Sequence, residues 1–473
     1  MATKPIARIM GDYYAGIELA SLPAAVVEKA RLVVLDALAN AIEGWNTPIS
    51  REVRAFTRTL ENPFARATVW ADGFHASHMD AIFANTTFVH SLLHDDSLPG
   101  TSTHGGSMIV PTALTLAEQS GVNGARALLA VIAGYDVQGR MGCAYKIAGP
   151  IVAKGHRGSP MFGPLAAASA AAMVLGLDAE RFAAALNLAA NSSCGLLECQ
   201  KQGTSEYRYQ NANAARNGVL AALLAGQGTE VAETTLDGEF GFVKVFAGLD
   251  EAPAEVTSEL GERFEIMRVM RKPYPTCGNN IRIARTLQQA FKRRGLSHAE
   301  VAGVRLRVNP QTIEYPGCDY KGPFETLSQA LMSTHFAVAS ILRHGRLDAR
   351  SFERIDDPDV ASIASNVELV GDPSVRYGLY ECQATVTLKN GEQFLAQASP
   401  EDDLMFYPDR DTAVQAFHDM TQHALPAEQR DAIVQRVLEL ETLSDVSSLT
   451  SLLVASPRNT AVEAPTQQLA SAA

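Results

Sequence analysis

The chain has no pair of cysteines in C-x-x-C spacing. Its six cysteines, Cys143, Cys194, Cys199, Cys277, Cys318 and Cys382, are scattered over 473 residues. That distribution argues against zinc or iron–sulfur ligation by the usual motifs and is too sparse for a disulfide scaffold. Reduced thiols in a cytoplasmic protein are expected. A Walker A sequence is missing, and no G-x-G-x-x-G follows a strand, so neither a nucleotide nor a dinucleotide is indicated. No cofactor and no metal are expected. Positive charge is in deficit, with 40 Lys and Arg against 52 Asp and Glu and a net charge of -12. That balance argues against nucleic acid as a partner, because phosphate binding needs a basic surface. A small anionic substrate stays compatible, since a pocket can be locally basic and distant charges are screened beyond ~8 Å.

Long apolar runs are also scarce. The stretch Ala166–Leu175 falls short of the ~18 residues needed to span a bilayer and reads as a buried helix. No membrane association is expected. The start of the chain carries neither a basic segment followed by an apolar one nor an Arg-rich transit pattern, so no targeting peptide is expected.

What is present is ordinary for a folded protein: 47% hydrophobic and 19% charged residues. The length predicts two domains rather than one core. From Leu22 to about Gly248 the pattern is helical, rich in Ala, Leu and Val and cut by Gly, Pro and Asn. Helices are expected over Ala24–Ile42, Asp80–Leu93, Val110–Glu118, Ala125–Ala133, Pro164–Leu175, Ala179–Ala190 and Ala212–Ala225. The first should stop near Gly44. Small residues at Leu165–Met173 and Ala183–Ala190 let helices approach closely. Near Met267 the character changes. Val304, Leu306 and Val308 alternate with Arg305 and Arg307, a half-buried strand. Asn390-Gly391 between Ala384–Leu388 and Gln393–Ala396 signals a hairpin. Helices follow at Asn280–Arg294, Leu327–Leu342, Asp411–His423 and Pro426–Glu441. The expected fold is mainly α: an all-helical core domain over 1–266 completed by 400–455, and a smaller α+β domain over 267–399. Residues 456–473, rich in Ser, Ala and Pro, are expected to be disordered.

One block carries unusual chemistry for its length. His90–Ser107 packs His90, His94, His104, Asp95 and Asp96 among hydroxyls, then enters an apolar helix near Met108. His104 precedes Gly105-Gly106-Ser107. Glycines would leave the N–H groups of the helix start open to an anion, with an imidazole beside it to donate or accept a proton. A capping loop whose histidine only hydrogen-bonds the backbone would use the same residues. Asp95 and Asp96 are adjacent, so at most one should face a given site, and both can instead cap the preceding helix. His94-Asp95-Asp96 as a metal cluster and the i,i+3 pair His75 and His78 as metal ligands are both weaker readings than capping or solvation.

Two further segments suit anions. Lys154–Pro164 holds His156 and Arg157 in a Gly-rich loop before a helix, where Arg157 could grip a carboxylate through a bidentate fork. Arg268–Asn280, with Arg271-Lys272-Pro273-Tyr274-Pro275, sits where the domains meet. Arg208 in Glu206-Tyr207-Arg208-Tyr209-Gln210 is a weaker candidate. Each could equally be a solvated loop.

Taken in order, these blocks resemble the MmgE/PrpD family, which contains 2-methylcitrate dehydratase, cis-aconitate decarboxylase and iminodisuccinate epimerase. The resemblance begins at Leu35-Asp36-Ala37-Leu38-Ala39-Asn40-Ala41-Ile42-Glu43-Gly44. It continues through Asn85, His90, Asp95-Asp96-Ser97 and His104, then Pro111, Leu116-Ala117-Glu118, Ala133-Gly134-Tyr135 and Phe162-Gly163-Pro164. It closes with Gly176-Leu177-Asp178, Leu236-Asp237-Gly238, Gly241-Phe242 and Lys272-Pro273-Tyr274-Pro275-Thr276-Cys277. The resemblance implies a cofactor-free, metal-free enzyme, usually a homodimer, in which the α+β domain is a lid over the helical one. His104 falls at the family's active-site histidine and Lys272 at its lid lysine. Ser97 stands where Thr is frequent. Four positions depart: Leu93 replaces an Asp, Arg157 a His (with His156 one place earlier), Tyr207 a Lys (with Arg208 next), and Phe336 a Tyr (with His335 adjacent).

The expected activity is therefore proton transfer next to a carboxylate of a small polycarboxylate. His104 is the expected general acid/base, with Lys272 and Arg157 holding carboxylates and stabilising developing charge. Asp95 or Asp96 would orient the loop. Ser97, Gly105, Gly106, His156, Tyr207, Arg208 and His335 are expected around the substrate. Dehydration of the 2-methylcitrate type is the first reading. Epimerisation, isomerisation or decarboxylation of a related acid is the second, and a catalytically decayed, carboxylate-binding dimer is the third.

Overall fold

Alanine and glycine decide how closely the helices of this chain pack. The structure is a computed structural model that describes residues 4–60, 62–376, 382–398 and 406–455. The proposed tail at 456–473 and the boundary near 399 lie outside those residues. In chain order the first helices are α1 (Ile6–Tyr14), α2 (Ala24–Gly44), α3 (Pro48–Thr59), α4 (His78–His90), α5 (Gly106–Ser120) and α6 (Gly124–Gly142). The two-residue strands β1 (Ala67–Thr68) and β2 (His75–Ala76) precede α4. Then come α7 (Ala148–Ala153), α8 (Gly158–Leu175), α9 (Ala179–Ala190), α10 (Glu198–Gln202) and α11 (Tyr207–Gly226).

Helix α8 is the central rod and packs against α5, α6, α9 and α11. Its neighbours come close because side chains are missing at the crossings. A Cβ on Gly218 of α11 would lie 2.5 Å from the Pro164 carbonyl oxygen and 2.6 Å from the Ala167 Cβ. A Cβ on Gly163 would lie 2.4 Å from the Met108 sulfur, and one on Gly134 would lie 2.7 Å from the Ile109 Cγ2. Such approaches exchange side-chain volume for dense backbone contact. The run Ala166–Leu175, expected to be too short to span a bilayer, is part of a longer helix. It belongs to an 18-residue helix long and apolar enough to cross a bilayer. Yet 94% of that helix is buried inside the protein, the behaviour of a core helix.

The second unit holds α12 (Gly278–Arg294), β3 (Val301–Val308), α13 (Pro310–Glu314), α14 (Leu327–Met332), α15 (Thr334–His344), α16 (Pro358–Ser365), β4 (Val367–Gly371), β5 (Gln383–Leu388) and β6 (Gln393–Gln397). The sheet order is β4-β3-β5-β6, with β3 parallel to β4 and antiparallel to β5. Val304, Leu306 and Val308 point into the core while Arg305 and Arg307 face solvent, where Arg305 meets Glu368 at 2.7 Å. The β5–β6 hairpin turns at Gly391, whose φ of +90° suits glycine. Finally α17 (Arg410–Thr421), α18 (Ala427–Leu438) and α19 (Ser447–Thr450) return to the helical body. Helices α17 and α18 pack on α2, so Phe417, Met420, Ile433 and Val437 share a core with Val34 and Leu38.

Several elements run differently from the sequence pattern. Helix α6 does not stop at Ala133 but continues to Gly142. Gly134 and Gly139 are not helix ends there; a Cβ on Gly139 would lie 2.5 Å from the Glu265 side chain. The helix expected over Leu327–Leu342 is broken at Ser333, whose extended backbone and side-chain cap on the Phe336 N–H start α15 afresh. Strand β4 was not anticipated, because Val367–Gly371 has no clear alternation.

The glycine crossings give a stability test. Gly218→Val forces its side chain into the α8 backbone and should destabilise the body by roughly 1–3 kcal/mol. A lowered thermal or urea midpoint checks this, and an unshifted midpoint would mean the crossing has slack.

Candidate active site

Four stretches of chain meet where the two cores join: the loop after α4, the start of α8, the start of α11 and the linker into α12. The loop and linker are paired through backbone. Ser97 N–H donates to the Met270 carbonyl and Met270 N–H to the Ser97 carbonyl, each at 2.8 Å. Residues Leu93, Cys199 and Tyr207, early in the chain, are packed into the core of the second unit.

His104 ends the loop. Its backbone N–H donates to Ser159 Oγ at 3.0 Å, and its ring Nδ1 lies 2.7 Å from the Asp96 carbonyl oxygen. A carbonyl only accepts, so Nδ1 carries the proton and Nε2 keeps a lone pair. No described residue hydrogen-bonds that Nε2. Burial, reinforced by the nearby Lys272 charge, pushes the His104 pKa well below the ordinary histidine value. The ring at rest is a neutral base.

His90, the last residue of α4, is also fixed as one tautomer. Arg157 Nη2, which only donates, lies 3.1 Å from His90 Nε2, so the proton is on Nδ1 and is given to Asp95 Oδ2 at 2.8 Å. Burial lowers the His90 pKa to about 4. Burial alone would raise the Asp95 pKa, but His90, His104 and Lys272 outweigh it and hold the carboxyl ionised. The other Asp95 oxygen is buried without a partner among the described residues.

Asp96 takes a different part. Its Oδ1 accepts the Gly106 N–H at 2.9 Å, and its Oδ2 accepts the Tyr135 hydroxyl. Burial raises its pKa to about 7. Two of the N–H groups around the start of α5, those of His104 and Gly106, are therefore taken by side chains rather than left open as the glycines had suggested. Asp96 occupies Gly106, Ser159 occupies His104, and the glycine at 105 serves packing. A Cβ there would lie 2.5 Å from the Tyr135 ring and 2.6 Å from Gln138 Oε1.

Three cations surround the histidines. Arg157 Nη1 donates to the Tyr207 carbonyl at 2.8 Å, Gln210 Oε1 at 3.0 Å and Asn211 Oδ1 at 3.3 Å. Arg208 donates twice to the Ser91 carbonyl, at 2.8 and 2.6 Å, and to Ser328 Oγ at 3.0 Å. Lys272 donates to the Leu93 carbonyl. That carbonyl is turned inward by a left-handed Leu93 with φ of +51°. The Tyr207 ring lies between the two guanidinium groups, 5.3 Å from Arg157 and 4.2 Å from Arg208, and 5.4 Å from the His90 ring. The His90 and His104 rings are 5.3 Å apart. Arg157, Arg208 and Lys272 are all buried, and none forms an ion pair with a carboxylate among the described residues. Arg157 does not present the free bidentate fork anticipated for it, because both terminal nitrogens are engaged. It acts as a fixed charge and as the group that sets the His90 tautomer.

The structure thus brings His104, Lys272, Asp95, Arg157, Tyr207 and Arg208 together, with Ser97, Gly105 and Gly106 on the supporting loop. It does not bring His156 or His335 to them. The His156 ring packs edge-on against Phe246 at 5.9 Å, and His335 bonds Asp319 at 2.8 Å from within the second core. His94 and Asp95 turn apart, His94 to Glu43 at 2.6 Å, so they form no common cluster. His90, Tyr135, Ser159 and Asn211 were missed as site residues. Of these His90, five positions before Asp95, and Tyr135, in the block Ala133-Gly134-Tyr135, left a trace in the sequence.

The protein is mainly helical with an α+β second unit, and at their junction a neutral histidine lies among buried cations that form no ion pair with a carboxylate among the described residues. The chain belongs to the MmgE/PrpD family: its residues 8–255 match the MmgE/PrpD N-terminal domain and 274–440 the MmgE/PrpD C-terminal domain. It is 25% identical to cis-aconitate decarboxylase of Homo sapiens over 96% of this chain and 95% of that protein. It is 24% identical to a cis-aconitate decarboxylase-like protein of Aspergillus oryzae over 91% of this chain and 94% of the other. With cis-aconitate decarboxylase of Aspergillus terreus it shares 30% identity over 54% of each chain.

Asp96 allows a test of the electrostatics. Its folded pKa of about 7 lies above the ordinary 3.8, so the folded state holds the proton longer than the unfolded one. Its contribution to stability is present below about pH 4 and is lost as pH rises to about 7, at up to about 1.4 kcal/mol per pH unit. Asp96→Asn does not titrate. The stability of the wild type relative to Asp96→Asn should fall between pH 4 and 7 and level off above. A difference that stays constant across denaturation curves in this window contradicts the assignment.

Proposed function

We propose that the chain is a lyase that moves a proton at a carbon next to a carboxylate of a small polycarboxylate, with His104 as general acid and base. The observation that carries this is the unpartnered Nε2 of a neutral His104 beside three buried cations. The Nε2 lone pair takes the proton from the carbon. Lys272, Arg157 and Arg208 lower the energy of the negative charge that develops on the carboxylate. In the dehydration reading, the imidazolium then gives its proton to the departing β-hydroxyl, which leaves as water as the double bond forms. The resting base form of His104 favours this order of events, and a substrate of the 2-methylcitrate type fits it.

Decarboxylation is the second reading, favoured by the names of the relatives that match most of the chain. There CO₂ leaves first and His104, protonated on arrival of the anion, supplies the proton to the carbon. Return of the proton to the opposite face would give epimerisation. A homodimer in the cytoplasm is the setting we propose for any of the three. A decayed site is disfavoured by the arrangement around His104, where the tautomer, the lone pair and the cations are all in place for proton transfer.

Incubation with 2-methylcitrate, citrate, cis-aconitate and iminodisuccinate in D₂O, followed by NMR, tests the proposal. An alkene with loss of water, or CO₂ release, names the reaction, and deuterium uptake without elimination marks an epimerase. His104→Ala should lower kcat by about 10²–10⁴-fold. Lys272→Met should cost about 10²-fold or more in kcat/KM. No exchange and no product with any of these acids would defeat the proposal for them.

A further inference from the structure

We infer that Cys277 and Cys318 form a peroxide-sensitive dithiol that closes reversibly to a disulfide beside the lysine of the site. Their sulfurs are 3.8 Å apart, with the Cys318 S–H directed at the Cys277 sulfur. They are 41 residues apart in the second unit and are tied to the two consecutive helices α14 and α15. Cys277 N–H donates to the Leu331 carbonyl, and the Thr334 N–H donates to the Cys318 carbonyl, each at 2.9 Å. All six cysteines are free, and no other two of them are in sulfur contact among the described residues.

The two thiols are chemically unequal. Cys277 stands at the N-cap position of the 17-residue helix α12, where N–H groups favour a thiolate. The Cys318 S–H, the N–H groups of Asn279 and Gly278 and the Lys272 charge all lower its pKa. Cys318 is held in the thiol form by that same hydrogen bond and by burial. This is the division of labour of an attacking and a resolving cysteine. With hydrogen peroxide as oxidant, the Cys277 thiolate attacks one oxygen. An S–O bond forms and the O–O bond breaks, giving a sulfenic acid and hydroxide, which is protonated to water. The Cys318 sulfur then attacks the Cys277 sulfur. The S–S bond forms, the S–O bond breaks, and the Cys318 proton leaves with the hydroxide as a second water. The sulfurs must close to about 2.05 Å. That draws on Cys277, next to Thr276, whose carbonyl is 3.5 Å from the Lys272 ammonium. Oxidation should therefore disturb Lys272. This consequence for activity rests on the function proposed above, while the disulfide itself does not.

The test is peptide mapping of the full chain after peroxide, with free thiols alkylated under denaturing conditions. The expected result is a Cys277–Cys318 linked peptide, two fewer alkylated thiols of the six, and recovery with dithiothreitol. Cys194→Ser, at the exposed cysteine, should leave the link intact, and Cys318→Ser should abolish it. Should that variant fail to fold, the wild-type map decides alone. Alkylatable Cys277 and Cys318 after treatment, or oxidation confined to Cys194, overturns the inference. Substrate turnover should fall as the link forms and return on reduction. A complete link with unchanged turnover overturns the coupling to Lys272 and leaves the disulfide standing.

Discussion

Buried positive charge without a matching carboxylate is expensive, and this chain holds three such charges in one place. Removing an ion from water costs several kcal/mol even after the protein relaxes. Arg157, Arg208 and Lys272 are buried and are met mainly by neutral oxygens: the carbonyls of Tyr207, Ser91 and Leu93. The Ser91 and Leu93 carbonyls lie at the end of α4 and in the loop after it, where Leu93 is in the left-handed region, and the Tyr207 carbonyl lies in the first turn of α11. The loop is pinned by the Ser97–Met270 backbone pair and by Arg208 reaching Ser328 of the second unit. The shape of the junction between the two units is thus the shape needed to hold cations out of water. The ionised carboxylate beside them, Asp95, acts on Lys272 and Arg157 through its charge but takes its hydrogen bond from His90.

The same charges set the two histidines apart. His90 and His104 are neighbours with opposite fates. His90 has both ring nitrogens occupied, by Asp95 and Arg157. His104 has one, and the group that occupies it is a backbone carbonyl, which fixes the proton on Nδ1. Burial first, and the nearby Lys272 charge after it, disfavour a further proton on His104, while Asp95 acts the other way. An anion that offsets the Lys272 charge would raise proton affinity at His104, a coupling that suits either removal or delivery of a proton at carbon.

Much of this was legible in the chain. Helix periodicity and the Asn390-Gly391 turn located most elements, because local patterns decide them. His104 and Lys272 stood out through residue type and through the family blocks around them. What the sequence hid depends on three-dimensional neighbours. The glycines at 105 and 106 read as an open anion cradle, but their use is set by Tyr135 and Gln138 across the helix crossing. The helix was expected to end at Ala133, before Gly134, but Gly134 and Gly139 are contact points inside α6. His156 and Arg157 were indistinguishable as adjacent residues; the register of the turn before α8 sends one toward Phe246 and the other toward His90. Leu93, a lost carboxylate by sequence, contributes its carbonyl to Lys272 and its side chain to the second core.

The proposed function depends on the junction attracting anions through buried cations that form no ion pair with a carboxylate among the described residues. Isothermal titration with propane-1,2,3-tricarboxylate, glutarate and butyrate measures it most directly, since none of these must react. The account predicts affinity that rises with each added carboxylate and falls at least about tenfold, or about 1.4 kcal/mol, for the tricarboxylate in Lys272→Met. Equal affinity across the series, or a Lys272→Met variant that binds the tricarboxylate as the wild type does, would contradict it.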